Sequence, residues 1–391
     1  MKNVVVIDAL RTPIGSFGGR LSSMNAPELA SVAIGALYKN NSLNPDLIDE
    51  VIMGNALPAG LGQGPARQAA LKAGLKNTTP CTTINKVCSS GMKAVMIGMH
   101  QIACGDADVI VAGGMESMSN VPYYLPKHRF GSKPGHHVLQ DGIIQDGLQD
   151  AFKDWQMGNA AELCAQKFDI SRNEQDEYAL TSYERAQSAR DKGVFSMEIT
   201  AVKVRNNKGE AEVIVEDEEA GRVNLVNIPK YGPAFQKNGT ITIANAASIS
   251  DGAAALLLMS EEKANELGLT PMARLISQAS SAGPPADYIT APADAISQAL
   301  NRAGKSINDI DLFEINEPFA VSALAHTKLL EIPTDTLNIH GGAVSLGHPI
   351  GCSGARILVT LLQAMKHHDK QWGCASVANG GGEASAVTIC S

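Results

Sequence analysis

Ile48–Asn55 reads IDEVIMGN, and Ile310–Asn316 reads IDLFEIN. Each is a short apolar run opened by Ile-Asp and closed by asparagine, the pattern of a strand buried on both faces. From Asn55, 33 residues lead to Cys88 in CSSGMKAVMIGM; from Asn316, 36 lead to Cys352 in CSGARILVTLL. In each case a helical pattern follows, then a strand ending in glycines, VIVAGG and SVANGGG. Three matches in order at similar spacing predict two copies of one strand–loop–helix–strand unit.

Outward from these copies, NVVVIDA and ADVIVAGG add further β-branched runs. Apolar character on both faces predicts a parallel sheet covered by helices, an α/β class. Met92, Val95, Met96 and Met99 recur at helical spacing and predict a buried helix. From about residue 116 to 247 the composition changes. NVPYYLPKHRFGSKPGHHVLQDG is rich in Pro, Gly, His and Lys, and KGEAEVIVEDEEAGR reads as a charged hairpin. This predicts an inserted loop domain, the usual place for binding.

The net charge of -8 argues against nucleic acid as a partner, because that affinity rests on a positive surface. The longest wholly apolar run, Ala253–Met259, is far short of the ~20 residues that span a bilayer. MKNVVVIDALRTP is a strand from the outset, neither a signal nor a transit peptide, which points to the cytoplasm. A transit peptide already cleaved would leave no trace. The seven cysteines are scattered and lack a C-x-x-C pair, which fits reduced thiols and no metal site.

Two stretches carry candidate chemistry. NKVCSSGMKA places Cys88 where a strand turns into a helix. The positive helix end is expected to lower its pKa toward thiolate, as in a nucleophile elbow built on cysteine. NIHGGAVSLGHPIGCSGAR surrounds His348 with glycines and follows it with Pro349, which suits a general base or oxyanion donor. EINEPFA puts Asn316 at a strand end, where it could hold a water or an oxyanion. GLGQGPARQAA lacks the spacing of a dinucleotide loop.

NKVCSSGMKA, VAGGMESMSNVPY, NEPFA, GGAVSLGHPIGCSGAR and the final NGGGEA together resemble the thiolases, closest to the biosynthetic acetyl-CoA acetyltransferases. The resemblance runs from Val4 to the C-terminus. It implies duplicated α/β/α/β/α layers: one half from residues 1–118 and 248–270, a loop domain at 119–247, and a second half at 271–391. It implies acyl transfer between CoA thioesters, joining two acetyl-CoA into acetoacetyl-CoA or cleaving it, with no bound cofactor. Cys88 would carry the acyl group and His348 would activate it. Asn316 would hold a water, and the backbone N–H groups of Cys88 and Gly380 would form an oxyanion hole. Met157, Phe235 and Phe319 would line the pantetheine tunnel, with Ala247 on the pantetheine arm. Arg222 and the basic stretch 127–137 would neighbour the CoA phosphates. A homotetramer, a dimer of dimers, is also implied.

The sequence departs from that pattern at Ala378, where the family has the second cysteine that moves the C2 proton. A methyl group cannot do this, and losing a positioned base typically costs ~10²–10⁴-fold. Cys374 lies four residues earlier on the strand, roughly 13 Å away at ~3.3 Å per residue, too far to substitute. Cys352 reads as a packing residue. Ala247, Gln156 and Pro318 stand where the family usually has serine, histidine and alanine. A decarboxylative condensation, as in ketosynthases, would make the carbanion without a base. A binding-only pseudoenzyme is the third reading, and the intact Cys88–His348–Asn316 set argues against it.

Overall fold

The computed structural model describes residues 1–205 and 209–391. Nine main strands form its central sheet: β1 (Val4–Arg11), β2 (Glu50–Gly54), β3 (Cys81–Ile84), β4 (Val109–Ser117), β5 (Ser250–Ser260), β6 (Ala273–Ala282), β7 (Leu312–Ile315), β8 (Trp372–Asn379) and β9 (Glu383–Cys390). Their spatial order is β7-β8-β9-β6-β1-β5-β4-β2-β3. The order is a duplication. In one half β2 lies parallel to β4, β4 antiparallel to β5, and β5 antiparallel to β1. In the other, β7, β8, β9 and β6 repeat those three relations. The halves join where β1 pairs with β6, Val4 opposite Leu275.

The sheet is therefore mixed, not the parallel sheet expected from the apolar runs. Those runs arise because helices cover both faces, whatever the strand direction. The helices used here are α1 (Ala26–Asn40), α2 (Pro65–Ala73), α3 (Ser90–Cys104), α4 (Met157–Lys167), α5 (Arg172–Asp191), α6 (Ala291–Ala303), α7 (Ala320–Leu330) and α8 (Ile350–His367). Asn25 starts α1 with a reciprocal cap to Glu28, and Leu29, Ala30, Ala33, Ile34 and Leu37 form its buried stripe. That stripe and α2 cover one face of the first half. In the second half α6 takes the equivalent place.

Between the halves lie α3 and α8. Met92, Val95 and Met96 of α3 and Ile357, Leu358 and Leu361 of α8 share one core with strands of both halves. Cys352 is buried in this core, as its packing role requires. Truncating Leu358 to alanine there would cost ~2–5 kcal/mol.

Residues between β4 and β5 carry α4, α5 and a short hairpin, Val202–Arg205 with Ala211–Ile214. Lys208 of the expected charged hairpin lies outside the described residues; the remainder provides the second strand and the turn after it. Buried Arg11 of β1 ties this segment down, binding Glu198 and Asp217 at 2.6 Å each. Glu317, beside Asn316, accepts from Tyr178 at 2.7 Å and Ser182 at 3.0 Å on α5.

Candidate active site

β3 ends at Ile84 and α3 begins at Ser90, so Cys88 stands two residues ahead of a helix. Val87 just before it has φ +49°, an uncommon conformation for a β-branched residue. The turn is held there by several bonds. The Ser90 hydroxyl donates to Val87 O at 2.6 Å and accepts from Lys86 N at 2.8 Å, while Asn85 accepts from Val87 N at 2.8 Å. A strained residue fixed by its surroundings is what an elbow requires.

α8 repeats this arrangement, with His348 two residues ahead of Ile350. The residues that match across the repeat are thus Cys88-x-x-Gly91 and His348-x-x-Gly351, not the Cys88 and Cys352 aligned by counting. Counted to these residues the connections nearly match, 33 residues from Asn55 to Cys88 and 32 from Asn316 to His348; Cys352 lies four residues beyond His348, inside α8. The glycines let the two helix starts converge. A Cβ on Gly91 would lie 3.0 Å from Gly351 O and 2.8 Å from Ala355 N. Convergence brings His348 Nε2 to 3.4 Å from Cys88 Sγ.

On the far side of the ring, Nδ1 is 2.6 Å from the Ser353 hydroxyl, which donates to Pro349 O at 2.9 Å. With the hydroxyl proton on Pro349, Nδ1 carries the ring proton and Nε2 presents its lone pair to the thiol. Asn316 Nδ2 is 3.4 Å from Nδ1, and its buried Oδ1 has no partner among the described residues.

The expected thiolate is not the resting form. Burial pushes the Cys88 thiol up to about 12, against the opposing pull of the Gly380 and Cys88 backbone N–H groups. Burial also pushes His348 down to about 4, with the Arg356 charge adding to it. Desolvation of the apolar site outweighs the helix end, so the resting pair is a neutral thiol and a neutral imidazole.

The second wall is the hairpin of β8 and β9. Gly381 and Gly382, at φ +95° and +86°, make its tight turn, which side chains would strain. Gly380 precedes them and lines the cavity, its N–H directed at the Cys88 sulphur. Ser89 fixes that relation, donating to Asn379 Oδ1 at 2.8 Å and Val377 O at 3.1 Å. Lys86 pairs with Glu383 across the same junction.

Sheet register identifies the counterpart of Ala378. Gly54 pairs with Gly114 in the first half and Ile315 with Ser376 in the second. Two residues further on stand Glu116 and Ala378. Glu116 is buried and accepts from Gly351 N at 2.8 Å, Ala56 N at 3.0 Å, Leu57 N at 3.2 Å and the Asn55 amide. Burial outweighs these bonds and pushes its carboxyl up to about 7.

The cavity before Cys88 is mostly apolar. Met157, Ala247, Pro318, Phe319, Ala378 and Gly380 line it together with His348. Phe235 stands behind, its ring 6.0 Å edge-on from that of Phe319. Ala247 N donates to Pro318 O at 3.0 Å, so two departures from the family pattern form one strip of wall. Gln156 caps the start of α4 next to Met157. Arg222 does not reach the cavity; it is exposed and 3.7 Å from Glu219. The stretch 127–137 is likewise exposed and lines no part of the cavity. Cys374 lies in a different apolar cluster from Ala378.

Sequence reading missed Ser89, Ser353, Asn379, Glu116 and Tyr288. Tyr288 is 3% exposed and lines the cavity with Ala378. Among the described residues, no group of three or more His, Cys, Asp or Glu could hold a metal ion, and no helix is long and apolar enough to cross a membrane.

The chain matches the thiolase N-terminal domain family over residues 4–262 and the thiolase C-terminal domain family over 269–391. It is 51% identical to acetyl-CoA acetyltransferase 2 of Arabidopsis thaliana over 390 residues, covering 99% of this chain and 97% of the relative. It is 47% identical to an acetyl-CoA acetyltransferase of Schizosaccharomyces pombe, covering 99% and 98%. Among solved structures, the Acat5 thiolase of Ascaris suum in complex with coenzyme A superposes with a TM-score of 0.94 at 42% identity, covering 100% of both chains. The Bacillus anthracis acetyl-CoA acetyltransferase superposes with a TM-score of 0.97 at 39% identity, covering 100% and 99%.

Proposed function

The chain belongs to the thiolase family, and from that premise we propose that it moves acetyl groups between CoA thioesters on Cys88. The reaction condenses two acetyl-CoA to acetoacetyl-CoA, or runs the reverse thiolysis. The observation that carries this reading is the 3.4 Å contact between His348 Nε2 and Cys88 Sγ, beside two converging backbone N–H groups. The names of the relatives favour neither decarboxylation nor a binding-only role.

The neutral pair sets the first step. The Cys88 sulphur attacks the acetyl-CoA carbonyl as Nε2 takes the thiol proton, so charge separates only as the new bond forms. The developing oxyanion falls to the Cys88 and Gly380 N–H groups, each such donor typically worth ~3–4 kcal/mol. His348 then passes its proton to the departing CoA sulphur, leaving acetyl-Cys88. For the second acetyl-CoA, Asn316 holds a water that polarises the thioester oxygen with His348. Its unpaired Oδ1 supports that role. Met157 and Phe319, backed by Phe235, form the tunnel for the pantetheine arm, and Ala247 offers it no hydroxyl. The C2 proton must still leave, and Ala378 cannot take it. Acetylation therefore outpaces condensation.

Intact mass after exposure to acetyl-CoA tests this: the chain gains one acetyl group, and Cys88→Ala does not. An unlabelled wild-type Cys88 would sink the proposal. We extend the reading to a cytoplasmic homotetramer. Tyr123, Leu125, Phe130, Val138 and Leu139 expose apolar surface on the insert, and every cysteine is free. Light scattering should give four times the 41.0 kDa chain mass.

A further inference from the structure

The cavity has lost one proton-transfer group but contains another. Of its lining side chains, only Cys88, Ser248, Tyr288 and His348 can give or take a proton. Cys88 and His348 face each other, and the Ser248 hydroxyl is 3.2 Å from that of Ser250. The Tyr288 hydroxyl has no hydrogen-bond partner among the described residues. Its ring is buried in the apolar cluster that contains Ala378 and Phe319. The residue is 3% exposed, but its oxygen is not among the sealed, unpartnered polar atoms, so it stands where water or a substrate can reach it.

We propose that Tyr288 is the acid/base that moves the C2 proton in place of the side chain missing at Ala378. This rests on the acyl-transfer reading above. In thiolysis, His348 takes the Cys88 proton and the sulphur attacks C3 of acetoacetyl-CoA. The C2–C3 bond breaks, its electron pair passes to C2, and the Tyr288 O–H supplies the proton that makes acetyl-CoA. The incoming CoA thiol then takes the acetyl group from Cys88. Its proton and the one held on His348 restore Tyr288–OH and Cys88–SH. Condensation is the same path reversed, with the phenolate removing the C2 proton.

The surroundings give this base a signature. Burial holds the phenol well above its usual value, and nearby Cys88, Cys164 and Asp150 push it in the same direction. Lys167 is 3.2 Å from Asp287 next door and so is paired. The acid form needed for thiolysis is thus filled at neutral pH, whereas the base form needed for condensation fills only in alkaline solution.

Two readouts test the proposal on the full chain: deuterium entering the acetyl-CoA methyl group in D₂O, and acetyl on Cys88 by intact mass. Wild type is expected to exchange, at a rate that climbs with pH through the alkaline range. Tyr288→Phe should lose exchange at least tenfold more than it loses acetylation, and its remaining exchange should not climb. Adding Ala378→Cys to Tyr288→Phe should restore exchange and show that the variant site is intact. The proposal is overturned if exchange in Tyr288→Phe merely tracks acetylation, or if acetylated wild type exchanges no faster than buffer. Failure of the double variant to recover would also overturn it, since Tyr288 would then be structural. A wild type that never acetylates Cys88 overturns the acyl-transfer reading itself, and this proposal with it.

Discussion

The two halves of the molecule contain the same strand–turn–helix unit and use it differently. Ahead of the paired helices α3 and α8 stand Cys88 and His348. At the matching ends of β4 and β8 stand Glu116 and Ala378. In the first half the strand-end group is committed to structure, its carboxylate holding the N–H groups of Gly351, Ala56 and Leu57. In the second half the equivalent residue faces the cavity. Duplication supplied two similar frames, and the residue placed at each position decides whether the frame supports or reacts.

Breaking the first frame has the largest expected effect. Cys88→Ala should lower thiolysis by ~10⁴-fold or more, since nothing else can carry the acyl group. A steady-state assay with acetoacetyl-CoA and CoA measures it, and near-wild-type turnover would refute the role of Cys88.

Completing the second frame comes next. Ala378→Cys should raise turnover by ~10²–10⁴-fold, the usual worth of a positioned acid/base. If Tyr288 already fills the role, the gain falls at the low end and the optimum moves to lower pH, because a thiol ionises before a phenol. No gain at all would place the defect in the Ala247–Pro318 wall instead.

Ser353→Ala should slow Cys88 acetylation by up to ~10²-fold, as it frees the His348 ring without touching substrate. KM should hardly move; a change confined to KM would contradict the assignment.

The smallest effect concerns Glu116. Its folded carboxyl lies at about 7, above the ~4.3 of an exposed glutamate. The folded chain therefore keeps a proton that the unfolded chain has released. This contribution to stability is full below about pH 4 and is lost as pH rises through 7. Glu116→Gln should remove that slope and cost ~1–3 kcal/mol, because the new amide hydrogens would face backbone donors. Tm measured from pH 5 to 8 for both proteins checks the sign; a parallel pair of curves would contradict it.

What could be read from sequence was what the chain holds locally. Cys88 sits in a short Ser-Ser-Gly turn and His348 in a glycine-rich one, each continuous in the chain, and the repeat predicted the duplication. Strand direction was hidden, because a strand covered on both faces is apolar whether parallel or antiparallel. Tyr288 was hidden for a related reason. It lies in the short helical turn Pro285–Thr290, whose residues carry no motif, and packing against β8 and α4 brings it into the cavity wall. Ser89 carries no signal in the sequence, because its partner Asn379 comes from the other half. Arg222 could be read only as a cation near a binding loop; in the fold it is exposed, 3.7 Å from Glu219, and outside the inner cavity. The thiolate expectation failed because a helix end is a local effect, whereas desolvation depends on everything packed around the site.

The pairing of β1 has a consequence for biosynthesis. Val4 lies opposite Ser260 on one side and Leu275 on the other. At ~5–20 residues per second, a ribosome needs on the order of 10–50 s to deliver those partners. Until then the first strand, apolar on nearly every side chain, waits on the nascent chain with both edges open. The first half cannot close until β5 has emerged, so β1 stays unpaired through most of the chain's synthesis.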